Sequence, residues 1–173
     1  MKIVIASDIH GSYDYLKKLC NIIKKEKPDK LVLLGDILYH GVRNNLPKEY
    51  NPMLVFETLN AMKDTIIAVR GNCDSEVDQA VLEFPISDDY KVIEVDGINW
   101  YLSHGHINDR FTVGQNDILL NGHTHTYELS RNYINPGSVG IPRSNSEHTC
   151  IVYENKKFTL YDLDNSKIDS LNI

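Results

Sequence analysis

Five short apolar runs in this chain each stop at a group of Asp, Asn or His with glycine close by, and that repetition limits what the chain can become. The groups are Asp8-Ile9-His10, Gly35-Asp36, Gly71-Asn72, His104-Gly105-His106 and Gly122-His123-Thr124-His125. The runs before them, such as residues 2–7 and Leu31-Val32-Leu33-Leu34, are rich in Ile, Val and Leu, as suits strands buried on both faces. In open α/β sheets ligands collect outside the carboxyl ends of the strands. The five groups are therefore expected to converge at one place.

The order of elements supports an α/β chain. A strand at 2–7 leads to Ser12, a plausible N-cap for a helix reaching about Lys27, in which Leu16, Leu19, Cys20 and Ile23 recur at helical spacing. A strand at 31–34, a polar loop over 39–50, a helix over 51–62 and a strand at 65–69 follow. This strand–helix alternation is the start of a parallel sheet. The second half changes character. Strands at 91–95 and 98–103 flank Asp96-Gly97, a hairpin signal. A strand at 118–120 follows, then pairs at 127–129 with 133–134 and at 149–153 with 158–161. These predict a second, largely antiparallel sheet packed on the first. With helices outside, the architecture is a four-layer α/β/β/α sandwich in a single domain spanning 1–173, its last dozen residues loosely attached.

Composition excludes some functions. The chain has 173 residues, 42% of them apolar and 24% charged, with a net charge of −6. That balance disfavours nucleic acid, whose phosphates call for clustered Lys and Arg. Lys17, Lys18, Lys24, Lys25 and Lys27 fall where they would form the wet face of the first helix. Three widely spaced cysteines make no disulfide framework and suit a reducing compartment. The apolar run at the N-terminus is shorter than a signal peptide's, and no segment nears the ~20 apolar residues of a membrane helix. The expectation is a cytoplasmic protein without a membrane partner.

Carboxylate oxygen, amide oxygen and imidazole nitrogen all bind first-row divalent metals. Singly, each residue has a plainer reading: Asp8 as a helix cap, Gly35-Asp36 and Asn72 as turns, His104 or His123 as exposed histidines. Together they do not. Of seven histidines, five lie in three of these groups. Asp8-x-His10 and His123-x-His125 also put two side chains on one side of an extended segment. The expected ligands are Asp8, His10, Asp36, Asn72, His104, His123 and His125.

In this order the motifs resemble the calcineurin-like metallophosphoesterase superfamily. The run Gly71-Asn72-Cys73-Asp74-Ser75-Glu76-Val77-Asp78-Gln79 and Asn135-Pro136-Gly137-Ser138 are similar to its small bacterial phosphodiesterases. The resemblance implies two divalent ions, commonly Mn²⁺, with Fe²⁺, Mg²⁺, Zn²⁺ and Ni²⁺ as alternatives. It implies Asp8, His10 and His125 on one ion, Asn72, His104 and His123 on the other, and Asp36 bridging. The implied reaction is attack on a small phosphate diester by a hydroxide held between the metals. Many members carry His after the Asn as the leaving-group acid; here the position is Cys73, a poorer acid. His40 and His106 are then the candidate proton donors. Asp74 either orients a ligand or caps the next helix, Arg43 is a candidate phosphate contact, and His148 reads as a surface residue. The competing readings are a phosphomonoesterase or nuclease, and a protein-binding scaffold of the same fold. Homo-oligomerisation is left open.

Overall fold

The computed structural model describes residues 1–143 and 146–173. Two sheets face each other. The first runs in the order β11-β10-β9-β1-β2-β3, the second β4-β5-β6-β8-β7. The strands are β1 (Ile3–Ala6), β2 (Lys30–Leu33), β3 (Ile66–Ala68), β4 (Tyr90–Val95), β5 (Ile98–Ser103), β6 (Ile118–Leu120), β7 (Tyr127–Ser130), β8 (Tyr133–Pro136), β9 (Thr149–Glu154), β10 (Lys157–Asp162) and β11 (Lys167–Asn172). The helices are α1 (Tyr13–Glu26), α2 (Pro52–Asn60) and α3 (Glu76–Val81).

Side-chain alternation in the central strands builds two cores. Val4 and Ala6 of β1, with Leu31 and Leu33 of β2, meet Leu16, Leu19 and Ile22 of α1 and Val55 and Leu59 of α2. Ile3, Ile5, Val32 and Leu34 point the other way, onto Trp100, Leu102, Ile118, Leu120 and Ile134 of the second sheet. Strands with a core on each face carry no polar alternation, which is why these runs read as continuously apolar. The helices lie on the first sheet. Outside the second sheet runs the 104–117 segment, whose Phe111 stacks on Tyr90 and Tyr101. Its helical content is the 3₁₀ turn Asn108–Arg110.

The helix ends follow local chemistry. Asn51 caps α2, its side chain accepting from Leu54 N at 3.1 Å, and Pro52 opens the helix where no N–H is needed. α3 opens with a capping box in which Ser75 and Asp78 bond each other's backbone reciprocally. Ser12 precedes α1 as expected but makes no side-chain cap; its hydroxyl donates to Lys48 O at 2.9 Å. The α1 lysines form a wet face, as expected, with Lys17 on Glu49 and Lys18 on Asp164.

Three expectations need correction. The hairpin β9–β10 joins the first sheet, β9 pairing antiparallel with β1. A fully buried run such as β9 carries no signal of which sheet it will enter. The second sheet is mixed, because β6 pairs parallel with both β5 and β8. The last dozen residues are not loose either. β11 pairs with β10, and Leu171 and Ile173 pack against the core between the sheets. A chain ending at Asn165 should lose roughly 2–4 kcal/mol of stability. By calorimetry its melting temperature should fall by about 5–10 °C; an unchanged value would mean that β11 holds nothing together.

Candidate metal centre

The strands β1, β2 and β3 of the first sheet and β5, β6 and β8 of the second end along one seam, and their following loops are stitched to one another. Asp8 N donates to Gly35 O (3.1 Å), His10 N to Asp36 O (2.9 Å), Gly122 N to His104 O (2.9 Å) and Gly140 N to Asp8 O (2.9 Å). Glycine is required where these loops touch. A Cβ on Gly71 would strike the Asp36 carboxylate, and one on Gly122 would strike the Ser7 hydroxyl. Asp8, His10, Asp36, His123 and His125 all have φ between 51° and 68°. Left-handed backbone costs a non-glycine residue about 1 kcal/mol or more and clusters at functional sites.

All seven expected ligands meet at this seam. His10 Nε2 lies 3.5 Å from Asp8 Oδ1, and His125 Nε2 lies 3.2 Å from the same oxygen. The two Nε2 atoms are 3.3 Å apart. Beside them, His104 Nε2 lies 3.1 Å from Asn72 Oδ1 and 3.2 Å from His123 Nδ1. Asp36 Oδ2 stands between the groups, 3.6 Å from His10 Nε2 and 3.3 Å from His104 Nε2. Asp8, His10, Asp36, His104 and His125 are buried; Asn72 is exposed and His123 half-buried.

The arrangement suits cations rather than internal hydrogen bonds. His10 Nδ1 faces Tyr39 O at 2.7 Å, His104 Nδ1 faces Leu34 O at 2.7 Å and His125 Nδ1 faces Ile141 O at 2.5 Å. A carbonyl only accepts, so each Nδ1 carries a proton and each Nε2 faces the cluster as the atom that can take a proton or a metal. His10 Nε2 and His125 Nε2, aimed at each other, need a positive charge between them, a proton or a metal ion. Asp8 Oδ1 is buried with no hydrogen-bond partner, whereas Oδ2 accepts from Ser7 Oγ (2.6 Å) and His123 N (3.0 Å). A buried, orphaned carboxylate oxygen amid imidazoles is a donor atom awaiting a ligand. The donor set therefore fits divalent metal.

The electrostatics agree. Burial opposes charge on Asp8, but His10, His125 and His104 hold its carboxyl well below the ordinary range. Burial likewise opposes charge on His104, yet the Asp36 and Asp8 carboxylates raise it to about 9. A spot that draws a proton so strongly has the negative potential that draws a divalent cation, and the two compete for one lone pair.

The four candidate catalytic residues separate. Asp74 caps nothing. One of its oxygens accepts from Asp36 N and Gly71 N, each at 2.8 Å, and the other from Ile37 N at 2.9 Å. It is a positioning residue that fixes the loop bearing Asp36. Cys73 lines the cleft above the cluster and donates its backbone N–H to Asp36 Oδ1 at 2.8 Å. Burial and the Asp36 carboxylate push its thiol up to about 12. His106 is exposed, its ring 5.5 Å from that of His104. His40 packs between Tyr39 and Tyr50, and it is absent from the cleft wall. The loop turns this side chain into an aromatic cluster. The surface reading of His148 is corrected: it is half-buried, stacked on Tyr15 at 3.4 Å and bonded through Nδ1 to Val139 O.

The cleft has a volume of about 720 Å³, and Tyr39, Val42, Arg43, Asn44, Val77 and Arg143 are among the residues that line it. Sequence reasoning singled out Arg43 and missed Arg143, Ser7 and the work of Asn135 and Ser138. Asn135 Nδ2 donates to Gly122 O at 2.9 Å, and Ser138 Oγ to Asp8 O at 2.9 Å. Both tie down the strand ends that carry the donors. The motif Asn135-Pro136-Gly137-Ser138 was visible; its partners were backbone atoms, which leave no mark in sequence.

A two-sheet α/β sandwich with Asp, Asn and His converging at its strand ends defines the metal-dependent phosphoesterase class. A profile of the calcineurin-like phosphoesterase superfamily domain matches residues 1–157, and the chain belongs to that superfamily. It is 38% identical to phosphodiesterase YfcE of Escherichia coli strain K12, over 97% of this chain and 95% of that one. The solved E. coli YfcE, described as a phosphoesterase, superposes with a TM-score of 0.93 at 38% identity over the whole of both chains. Phosphodiesterase MJ0936 of Methanocaldococcus jannaschii is 31% identical over 72% of this chain and 74% of that one. No helix among the described residues is long and apolar enough to cross a membrane.

Proposed function

We propose that this chain is a metal-dependent phosphodiesterase acting on small phosphate diesters. Asp8, His10 and His125 would hold one divalent ion, Asn72, His104 and His123 the second, with Asp36 shared. The carrying observation is the two facing groups of lone-pair donors beneath an open cleft, with Asp36 Oδ2 within 3.6 Å of both. The similarity to YfcE over nearly the full length of both chains supports the diester reading. Oxygen and imidazole donors without thiolate favour Mn²⁺, with Fe²⁺, Mg²⁺, Zn²⁺ and Ni²⁺ as alternatives. The three free cysteines suit a cytoplasmic setting, and the two cores sharing β1 and β2 suit a single domain.

When bound, the ions supply Lewis acidity and lower the pKa of water. The protein's own part is orientation. The carbonyls of Tyr39, Leu34 and Ile141 hold three imidazoles in the metal-binding tautomer. Ser7 and His123 N occupy Asp8 Oδ2 and leave Oδ1 for the cluster. Position 73 contributes its backbone N–H, which fixes Asp36.

Two measurements test this. Metal analysis of the Mn²⁺-loaded protein should give two ions per chain, and an aryl phosphodiester should be hydrolysed by wild type but not by His123→Ala. Equal rates in the two proteins would sink the proposal. Cys73→Ser, which keeps the backbone N–H, should retain hydrolysis of an ester with a good leaving group within about threefold. A loss of a hundredfold or more would instead make the thiol the proton donor.

A further inference from the structure

Arg43 and Arg143 both line the cleft, and neither lies within ion-pair distance of a carboxylate among the described residues. Elsewhere the chain's cations commonly have one: Lys17 with Glu49, Lys18 with Asp164, Arg70 with Glu76, Arg110 with Asp89. The cleft does contain acids, but each is committed. Asp36 faces His104 and Cys73 N, Asp74 takes three backbone N–H groups, and Asp78 takes Ser75 N and Oγ.

Arg143 reaches the segment that carries Arg43. Arg143 Nη2 donates to Asn44 Oδ1 at 3.4 Å, and Asn44, next to Arg43, donates from Nδ2 to His40 O at 2.7 Å. Arg143 is also rooted beside the metal cluster, its backbone N donating to His125 O at 3.1 Å. Both side chains are exposed, whereas the donor atoms of Asp8, His10, Asp36 and His125 are buried. The guanidiniums thus belong to the rim and the metal cluster to the floor. Beside them stand exposed apolar side chains, Val42 (85%) and Val77 (74%), able to take an organic group.

We infer that Arg43 and Arg143 form a second anion subsite, which binds a further phosphate or carboxylate carried by the diester while the scissile phosphate sits on the metal cluster. Guanidinium forks match such groups in bidentate fashion. Two cations suit one extra anionic group on a small substrate; a nucleic-acid backbone needs a longer basic track. The inference rests on the phosphodiesterase reading and narrows its substrates.

The test uses Mn²⁺-loaded protein and two esters with one leaving group, thymidine 5′-(p-nitrophenyl phosphate) and its 3′-phosphorylated derivative. Wild type should favour the 3′-phosphorylated ester about tenfold in kcat/KM, through KM. Arg43→Gln combined with Arg143→Gln should bring that ratio close to one. A wild-type ratio already near one overturns the subsite. So does a variant that lowers both rates in parallel, which would place the guanidiniums on the scissile phosphate. Calorimetry gives a readout without turnover. Wild type should bind thymidine 3′,5′-bisphosphate about tenfold more tightly than thymidine 5′-phosphate, and the double variant should not. Failure to hydrolyse either ester would count against the phosphodiesterase reading, while the binding difference would still decide the subsite.

Discussion

Replacing Asp36 with alanine should cut hydrolysis of an aryl phosphodiester by about 10³-fold or more, because on the proposed reading several kcal/mol of metal stabilisation would rest on this one carboxylate. Its Oδ2 lies within reach of both donor groups, with His10 Nε2 and His104 Nε2 at 3.6 and 3.3 Å. Its other oxygen is fixed by Cys73 N at 2.8 Å. Removing it should lower the metal content from two ions to one or none. The fold should survive. Burial and the Asp8 charge oppose ionisation of Asp36, but the His104 imidazole outweighs them and holds its carboxyl below the ordinary range. Removing the carboxylate relieves the Asp8 repulsion but gives up that pairing and the Cys73 hydrogen bond, the latter worth about 1 kcal/mol. Asp36→Ala and Asp36→Asn should therefore melt within a few degrees of wild type in EDTA, and both should lose the rise in melting temperature that Mn²⁺ gives the wild type. A variant that keeps two ions and a tenth of the activity would remove Asp36 from the shared position.

The second large effect reverses that pattern. Asp74→Ala should destabilise the protein by about 4 kcal/mol or more, because three buried N–H groups lose their acceptor at once. Those groups belong to Asp36, Ile37 and Gly71, in two loops that this carboxylate joins alongside the Cys73 N–H bond to Asp36 Oδ1. For a chain of this size the melting temperature should fall by about 10 °C or more. Activity should fall as well, through displacement of Asp36. Asp74→Asn keeps one acceptor oxygen but turns an NH₂ toward the remaining donors, and should recover only part of the loss. If Asp74→Ala melted like wild type and lost activity alone, Asp74 would be acting on substrate and not on the loops.

Much of this site was legible from residue type and position. A strand buried on both faces announces itself as an apolar run, and a metal donor announces itself as Asp, Asn or His placed just after one. That sufficed to place Asp8, His10, Asp36, Asn72, His104, His123 and His125 at the strand ends. What stayed hidden depends on partners that leave no trace in local pattern. Asp74 read equally as a ligand orienter and as a helix cap, because two of the residues it bonds, Asp36 and Ile37, stand in another loop. The ring of His40 lies between Tyr39 and Tyr50, a placement that no local pattern announces. Arg143 is a lone arginine in an irregular segment, with no periodicity to mark it. The sheet joined by β9 and β10 was misjudged because β9, buried along nearly its whole length, would read the same in either sheet.

His10 and His125 stand 115 positions apart in the chain, yet their Nε2 atoms come within 3.3 Å. No short stretch of unfolded polypeptide could gather such donors, since loop closure over that span must come first. On the proposed reading, ions cannot template this protein in the way that zinc templates a finger. The scaffold must form first, and the strained loops at the seam wait for cargo afterwards. Which metal the protein carries is then decided by how the finished donor set suits the ions that the surrounding fluid offers.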